Sequence, residues 1–180
     1  ELSVLGDLKL SSCTNLKKMP QILKVDGNID ISECGDLTAL PELRRTSLNI
    51  GEMLRADSEK RSNLIKEKVD LGLLDDYKGS ITLSGCTNLN KLPKGLTVAG
   101  NLKITNCANL IELPQGLTVA ENLEITNCMN LLDLPYGLNV SSKVKLRECD
   151  RLNLSENLRI RGIIDLSALN HLKSLPKGLI

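Results

Sequence analysis

Apolar and polar side chains alternate in short stretches that recur along this chain. Each stretch has the form apolar-x-apolar, as in Leu102-Lys103-Ile104 and Leu123-Glu124-Ile125. A period of two residues is typical of a β-strand that buries one face. We therefore predict about eight short strands. Their apolar pairs are Leu8/Leu10, Ile29/Ile31, Leu48/Ile50, Ile81/Leu83, Leu102/Ile104, Leu123/Ile125, Val144/Leu146 and Ile164/Leu166.

A second apolar pattern follows each strand, with the form C-x-N-L-x-x-L-P-x-G-L-x-V. Its spacing is neither helical nor strand-like. The proline fixes its own φ near about −65° and favours an extended residue before it, so we predict a polyproline-like return limb. A glycine then permits the bend back to the next strand. These glycines are Gly95, Gly116 and Gly137.

The whole unit repeats every 21 residues, as the positions of Cys86, Cys107, Cys128 and Cys149 show. A fixed period of this length is typical of a solenoid, in which each unit packs only against its neighbours. The chain contains no Phe or Trp, and its aromatic content is 1%. This composition favours a core of stacked Leu, Ile and Val layers. We expect residues 1–180 to form one repeat domain.

The pattern L-x-I-x-x-C-x-N-L-x-x-L-P-x-G-L-x-V resembles the leucine-rich repeat, with Cys where many members carry Asn. The resemblance covers residues 1–50 and 79–180. It implies an α/β, right-handed solenoid with a parallel β-sheet on its concave face and an extended convex side. The short unit and its Leu-Pro limb look most like effectors that Gram-negative pathogens secrete into host cells, the IpaH, SspH and YopM families.

Residues 52–78 interrupt the third repeat. Ile50 and Leu83 lie 33 residues apart where 21 would suffice, and the interruption is rich in helix formers. We predict one short helical insertion, of one or two helices, which either covers an irregular turn or projects to bind a partner. The chain begins inside one turn and ends inside another, so we expect a fragment of a longer protein.

Several kinds of chemistry are disfavoured by the sequence. A net charge of +1 argues against nucleic acid as a partner. No apolar run reaches the roughly 18 residues of a membrane span. The regular cysteine spacing contains no C-x-x-C pair, so we predict a buried row of reduced thiols and no metal site. We expect no cofactor and no small-molecule substrate.

No residue carries a convincing catalytic pattern. Cys149-Asp150 differs from the C-x-D motif of the ligase domain that follows the repeats in the IpaH family, and Cys149 belongs to the thiol row. The single histidine, His171, stands at the position of a recurring Asn and is expected to cap the backbone. The Asn positions, which we interpret as structural, are Asn15, Asn88, Asn109 and Asn130. We therefore predict that this chain is not itself an enzyme.

The outward side chains of the strands should line the concave face. The column Lys103, Glu124, Lys145, Asp165 alternates in sign, which is compatible with a solvated ladder. The basic residues Lys143, Lys145 and Arg147, offset by Glu148 and Asp150 and followed by Arg159 and Arg161, are a candidate anchor for an acidic partner. The candidate protein-binding residues are Lys103, Thr105, Glu124, Thr126, Lys143, Lys145, Arg147 and Asp165.

We expect a protein-protein interaction module that binds through its concave face, because solenoids present wide and rigid surfaces. The effector resemblance implies a host protein or another bacterial effector as partner, and secretion into the reducing host cytosol. If the chain is not an effector, a cytoplasmic location is expected. The alternative is the substrate-recognition or autoinhibitory half of an effector E3 ubiquitin ligase, whose catalytic domain would lie outside this chain.

Overall fold

The computed structural model describes residues 1–44, 79–154, 160 and 162–175. These residues form a parallel β-solenoid of stacked coils, and all strand pairings within them are parallel. The main sheet has seven strands. They are β2 (Leu8–Ser11), β4 (Ile29–Ser32), β6 (Ile81–Ser84), β8 (Leu102–Thr105), β10 (Leu123–Thr126), β12 (Lys143–Arg147) and β13 (Ile163–Ala168).

The return limbs end in further short strands instead of being polyproline-like throughout. One three-stranded sheet has the order β1-β3-β5 and another has the order β11-β9-β7. Val98, Val119 and Val140 point inward from the second of these sheets and are fully buried. The bounds are β1 (Leu2–Val4), β3 (Ile22–Val25), β5 (Glu42–Arg44), β7 (Thr97–Val98), β9 (Thr118–Val119) and β11 (Asn139–Val140).

A line of isolated parallel bridges marks a third side of the coil. The bridges join Ala39 to Lys91, Glu112 to Asp133, and Asp133 to Asn153. Each complete turn therefore has three limbs. Backbone hydrogen bonding to the next turn holds all three, as a stack of coils requires.

The main sheet differs from the sequence prediction at one place. β4 pairs directly with β6, and the pairing joins Ile29 to Ile81 and Ile31 to Leu83. The main sheet therefore has seven strands in the described residues, where about eight were predicted. Leu48, Ile50 and the predicted helical insertion at 52–78 lie outside the described residues. The described part of the chain contains no helix, so the α/β class is not confirmed.

The core consists of inward columns of Leu, Ile, Val and Cys. Cys34, Cys86, Cys107, Cys128 and Cys149 are fully buried in it. Cys13, in the first turn, is half-buried, and all six cysteines are free thiols. Each thiol donates to a carbonyl of its own turn, as Cys107 Sγ does to Thr105 O at 3.5 Å. Burial raises the pKa of Cys128 to about 12, so this thiol is protonated at neutral pH.

A left-handed residue stands immediately before each cysteine of the column. Asn106 and Asn127 have φ values of 55° and 54°, and Gly85 has 64°. This conformation favours Gly and Asn, which hold three of the six positions, while Ser12, Glu33 and Glu148 hold the others. The predicted bend glycines are confirmed in the same way, since Gly95 and Gly116 have φ values of 63° and 72°.

Candidate protein-binding face

The candidate site is the sheet face, which we define as the outward side chains of the seven main strands. Strand register arranges these side chains in columns. Glu124 lies opposite Lys103 on β8 and opposite Lys145 on β12. Lys145 in turn lies opposite Asp165 on β13. The structure therefore brings together the alternating column expected from the sequence.

Glu124 is shared between two lysines. Its Oε1 accepts a hydrogen bond from Lys145 Nζ at 2.9 Å, and its Oε2 lies 3.8 Å from Lys103 Nζ. The hydrogen bond from Lys145 is the largest influence that lowers the pKa of Glu124. This carboxylate is therefore charged at neutral pH, and it holds the Lys145 ammonium group in a direct hydrogen bond.

Asp165 is shared between two other basic residues. Its Oδ2 lies 3.3 Å from Lys143 Nζ and 3.7 Å from Arg147 Nη2. Its Oδ1 accepts from the hydroxyl of Ser167 at 2.7 Å and from the Ser167 amide at 3.2 Å. The bonds from Ser167, followed by Lys143, lower the pKa of Asp165. Asp165 is thus held by its own strand as well as by the neighbouring strand.

The basic anchor is consequently more strongly offset than the sequence indicated. Asp165 pairs with two of its members, Lys143 and Arg147, and Glu124 pairs with one, Lys145, and with Lys103 on β8. Among the outward side chains of β8, β10, β12 and β13 alone, four cations face two carboxylates, an excess of two positive charges that does not include Glu148 and Asp150 beyond the strand. The predicted contributors Arg159 and Arg161 lie outside the described residues.

A column of hydroxyl side chains runs beside the charged column. It passes through Ser84, Thr105 and Thr126 and ends at Arg147. The hydroxyl oxygen of Thr126 and the Nε of Arg147 are both buried, and neither has a hydrogen-bond partner. Thr105 and Thr126, which were predicted to bind a partner, therefore lie on the sheet face, and Thr126 lies opposite Arg147 on the adjacent strand.

A third column, one residue before each strand, has a structural role that the sequence analysis missed. Asn122 N donates to Asn101 Oδ1 at 3.1 Å, and Asn101 N donates to Ser80 Oγ at 2.9 Å. Ser80 N donates to Asn28 Oδ1 at 2.9 Å, and Asn28 N donates to Asp7 Oδ1 at 2.7 Å. Each side chain thus caps the backbone of the next turn. The recurrence of Asp, Asn or Ser at this position was the signal.

The histidine, the recurring asparagines and the cysteines, which were predicted to be structural, make structural contacts. His171 Nε2 lies 2.7 Å from the carbonyl oxygen of Leu152, so the ring caps the preceding turn. Asn130 Nδ2 donates to Ala108 O at 2.9 Å, and Asn109 Nδ2 donates to Asn88 Oδ1 at 3.2 Å. Burial raises the pKa of the Cys149 thiol, which opposes thiolate formation. These groups account for their positions through packing and capping.

Two further findings concern the described part of the chain. It contains no cluster of three or more His, Cys, Asp or Glu side chains placed to hold a metal ion. A search of the same residues found no helix with the length and apolar character needed to span a bilayer. The sheet face there carries no aromatic side chain, since Tyr136 lies on a return limb and is 84% exposed.

The fold places this chain in the class of parallel β-solenoid repeat proteins. Comparison with protein-family models, with curated proteins and with solved structures found no match. The class is therefore established by the stacked coils alone.

Proposed function

We propose that this chain is a protein-recognition module that binds an acidic partner surface through the sheet face. The observation that carries the proposal is the excess of two positive charges where Lys103, Lys143, Lys145 and Arg147 surround two carboxylates. These side chains project from paired strands, so their spacing is set by the backbone. A partner would therefore meet an ordered array and little conformational entropy would be lost on binding.

The composition of the face favours a protein partner over a nucleic acid. Single-stranded nucleic acids bind to grooves that combine positive charge with aromatic stacking platforms. The described sheet face has hydroxyl and charged side chains where such platforms would be needed. The excess charge is local, since the whole chain has a net charge of only +1. A local charge excess among neutral polar groups fits a partner that presents a few carboxylates in one region.

The biological setting is proposed from the resemblance to secreted leucine-rich-repeat effectors. In this proposal the chain belongs to a bacterial effector, and the partner is a host protein or another effector. The six free thiols support a reducing compartment such as the host cytosol, because thiols remain unpaired there. Similarity to this repeat subclass is carried by the C-x-N-L-x-x-L-P-x-G-L-x-V units.

Charge reversal on two faces tests the proposal. The double substitution Lys145→Glu and Arg147→Glu should weaken binding to a captured and identified partner by more than about tenfold, since it makes the anchor acidic. Lys91→Glu with Lys94→Glu changes the net charge equally, but these exposed lysines lie away from the sheet face. Affinity should be measured by calorimetric titration at two salt concentrations, because screening weakens charge pairing.

Comparison of the anchor variant with the Lys91→Glu, Lys94→Glu control shows whether a loss of binding comes from the sheet face or from the change in net charge. Binding that is unchanged in the anchor variant, or that is lost equally in both variants, would reject the sheet face as the binding site. Urea unfolding of each variant establishes that the fold is retained. Since Lys145 pairs with Glu124 at 2.9 Å, a modest loss of stability is expected in the anchor variant alone.

A further inference from the structure

The four basic side chains of the sheet face are not equally available to a ligand. Lys145 donates a hydrogen bond to Glu124 at 2.9 Å, and Lys143 lies 3.3 Å from Asp165. Arg147 lies 3.7 Å from Asp165, which is beyond hydrogen-bond distance. Its side chain makes no hydrogen bond within the part of the chain that the structure describes. Lys103 Nζ, at 3.8 Å from Glu124, is also beyond hydrogen-bond distance. Arg147 and Lys103 are therefore the least committed of these cations in the free protein, and of the two only Arg147 has a buried polar atom without a partner among the described residues.

Two polar groups without partners meet at this place. Arg147 and Thr126 are directly opposed on β12 and β10. The Nε of Arg147 and the hydroxyl oxygen of Thr126 are buried, and neither has a partner. Buried polar groups are nearly always hydrogen-bonded, so an unpartnered pair on an outward face calls for an explanation. The Nε–H of Arg147 can only donate, whereas the Thr126 hydroxyl can donate or accept, so an acceptor oxygen placed between them would satisfy both.

We infer that Arg147 and Thr126 form a subsite for an oxyanion, either a carboxylate or a phosphate, on the partner protein. The inference rests on the proposed function and names the group that the sheet face recognises. The Nε–H and one Nη–H of a guanidinium form a fork that matches two oxygens of such an anion. The hydroxyl of Thr126 supplies a third donor. In the bound state that we infer, the Arg147 side chain turns so that its Nε–H and the Thr126 hydroxyl both face the ligand.

When Arg147 moves from Asp165 to the ligand, both carboxylates of the sheet face keep other partners. When Arg147 turns to the ligand, Asp165 keeps Lys143 at 3.3 Å and both bonds from Ser167. Glu124 keeps its hydrogen bond from Lys145. No buried charge is left unpaired, so the free and bound arrangements of the face are both electrostatically complete. Lys103 and Lys145 then add long-range attraction for an anion at this position.

The first experiment uses simple anions as probes on the whole chain. Inorganic phosphate and sodium acetate are titrated into nitrogen-15-labelled protein, and the Nε–H resonance of each arginine is followed by NMR. Sodium chloride at matched ionic strength corrects for screening. We expect saturable shifts of the Arg147 Nε–H and the Thr126 amide, and none at Arg151, which lies on another side of the coil. Saturation by phosphate alone indicates a phosphorylated side chain, and saturation by both anions indicates that Asp or Glu suffices.

Three variants give the inference its sharp form. Arg147→Lys keeps the charge but loses the fork, and the apparent affinity for the anion should fall about tenfold. Thr126→Val keeps the shape but loses the hydroxyl, and should weaken binding about threefold. Ser84→Ala removes a hydroxyl from the same column two strands away from Thr126, and should leave the titration unchanged. Retained amide dispersion in each spectrum establishes that the variant is folded.

Shifts at Arg147 that match those in sodium chloride would overturn the subsite, as would an unchanged titration of Thr126→Val. That failure is distinct from failure of the proposed function. A partner could still bind through Lys145 and lose affinity on charge reversal while the anion titrations stay flat. Conversely, the Arg147→Lys variant keeps the positive charge. If it loses partner binding, the paired N–H donors of the Arg147 guanidinium are what the partner recognises.

Discussion

The middle turns and the last turns of the coil share one repeat but differ at the position before each strand. From the first turn to the middle, this position holds a side chain that caps the next turn, as Asn101 Oδ1 does for the Asn122 amide at 3.1 Å. On β12 the same position is Lys143, which has no acceptor, and at β13 it is Ile163, which is 68% exposed. The register between β12 and β13 also shifts between Lys145 and Arg147.

The difference shows where a repeat protein has room for recognition. In the middle turns, the position before each strand is occupied by a residue that caps the backbone of the next turn. The turn that begins at Lys143 lacks the cap and carries the basic side chains instead. The basic anchor therefore lies where the repeat departs from its structural consensus, whereas Lys103, Thr105, Glu124 and Thr126 lie on the regular strands β8 and β10. The following predictions test this contrast, and they are ordered from the largest expected effect to the smallest.

Matched leucines in one core column give the largest difference. Leu83 is fully buried, whereas Leu166 occupies the equivalent position on β13 and is half-buried. Leu83→Ala should cost about 3–5 kcal/mol of unfolding free energy, because it leaves a cavity between two complete turns. Leu166→Ala should cost less than about 2 kcal/mol, since less of its surface is removed from water. Urea unfolding measures both, and equal losses would contradict the contrast.

Matched glycines test how closely adjacent turns approach. A Cβ on Gly100 would lie 2.3 Å from Ser80 Oγ and 3.1 Å from Ser80 N, whereas a Cβ on Gly6 would meet nothing within 4 Å. Gly100→Ala should therefore destabilise the fold by about 1–3 kcal/mol through overpacking. Gly6→Ala at the same repeat position should stay within about 0.5 kcal/mol of the parent. A thermal or urea unfolding curve that fails to separate the two variants would argue against this packing.

The capping column can be compared with its interruption. Asn101→Ala removes the acceptor for the Asn122 amide and for Asn122 Nδ2, which lies at 2.8 Å. We expect a loss of about 1–2 kcal/mol, because a backbone donor is left without its partner. Lys143→Ala, at the uncapped position, should cost at most about 1 kcal/mol as a surface pair. A larger loss at Lys143 than at Asn101, in the same urea assay, would refute the structural role of the column.

Acid should have the smallest effect, and it should act on the charged column. The hydrogen bond from Lys145 lowers the pKa of Glu124 from its ordinary value of 4.5. A lowered folded pKa means that the stabilisation is complete above that ordinary value and is lost as the pH falls through the folded one. Surface pairs contribute about 0–1 kcal/mol, so the loss should be small.

The Glu124→Gln variant isolates this contribution. Its stability should fall less than that of the parent between about pH 5 and pH 3, because one titrating carboxylate has been removed. Asp165 acts with the same sign, so some acid sensitivity should persist in the variant. Urea midpoints at several pH values give the comparison. Parallel curves for parent and variant would show that the Glu124–Lys145 pair does not contribute.

Much of the coil was predictable from local pattern. Seven of the predicted apolar pairs lie on the strands of the main sheet, from Leu8/Leu10 on β2 to Ile164/Leu166 on β13. The inward thiol column and the left-handed bends at Gly95, Gly116 and Gly137 also follow from residue type and period. These features depend on neighbours in the sequence, so the sequence displays them directly.

The features that escaped prediction depend on contacts between turns. Asp165 lies opposite Lys145 and meets Lys143 and Arg147 diagonally across the β12–β13 pair. The capping column escaped prediction because each side chain bonds to the backbone of the next turn, as Asp7 Oδ1 does to the Asn28 amide. The two-residue strands of the return limb were hidden by the Leu-Pro signal, which predicts an extended chain but not its pairing.

By itself, the sequence determined the period of the coil, the alternation of inward and outward positions, and the thiols in the core. Residue type and spacing carry that information, because each strand must bury one face. Only the tertiary structure decided that β4 pairs with β6 and that Lys145 is committed to Glu124 while Arg147 stays without a hydrogen bond. Those outcomes depend on which turns are adjacent and in what register, and hydrogen bonding across the stack settles both.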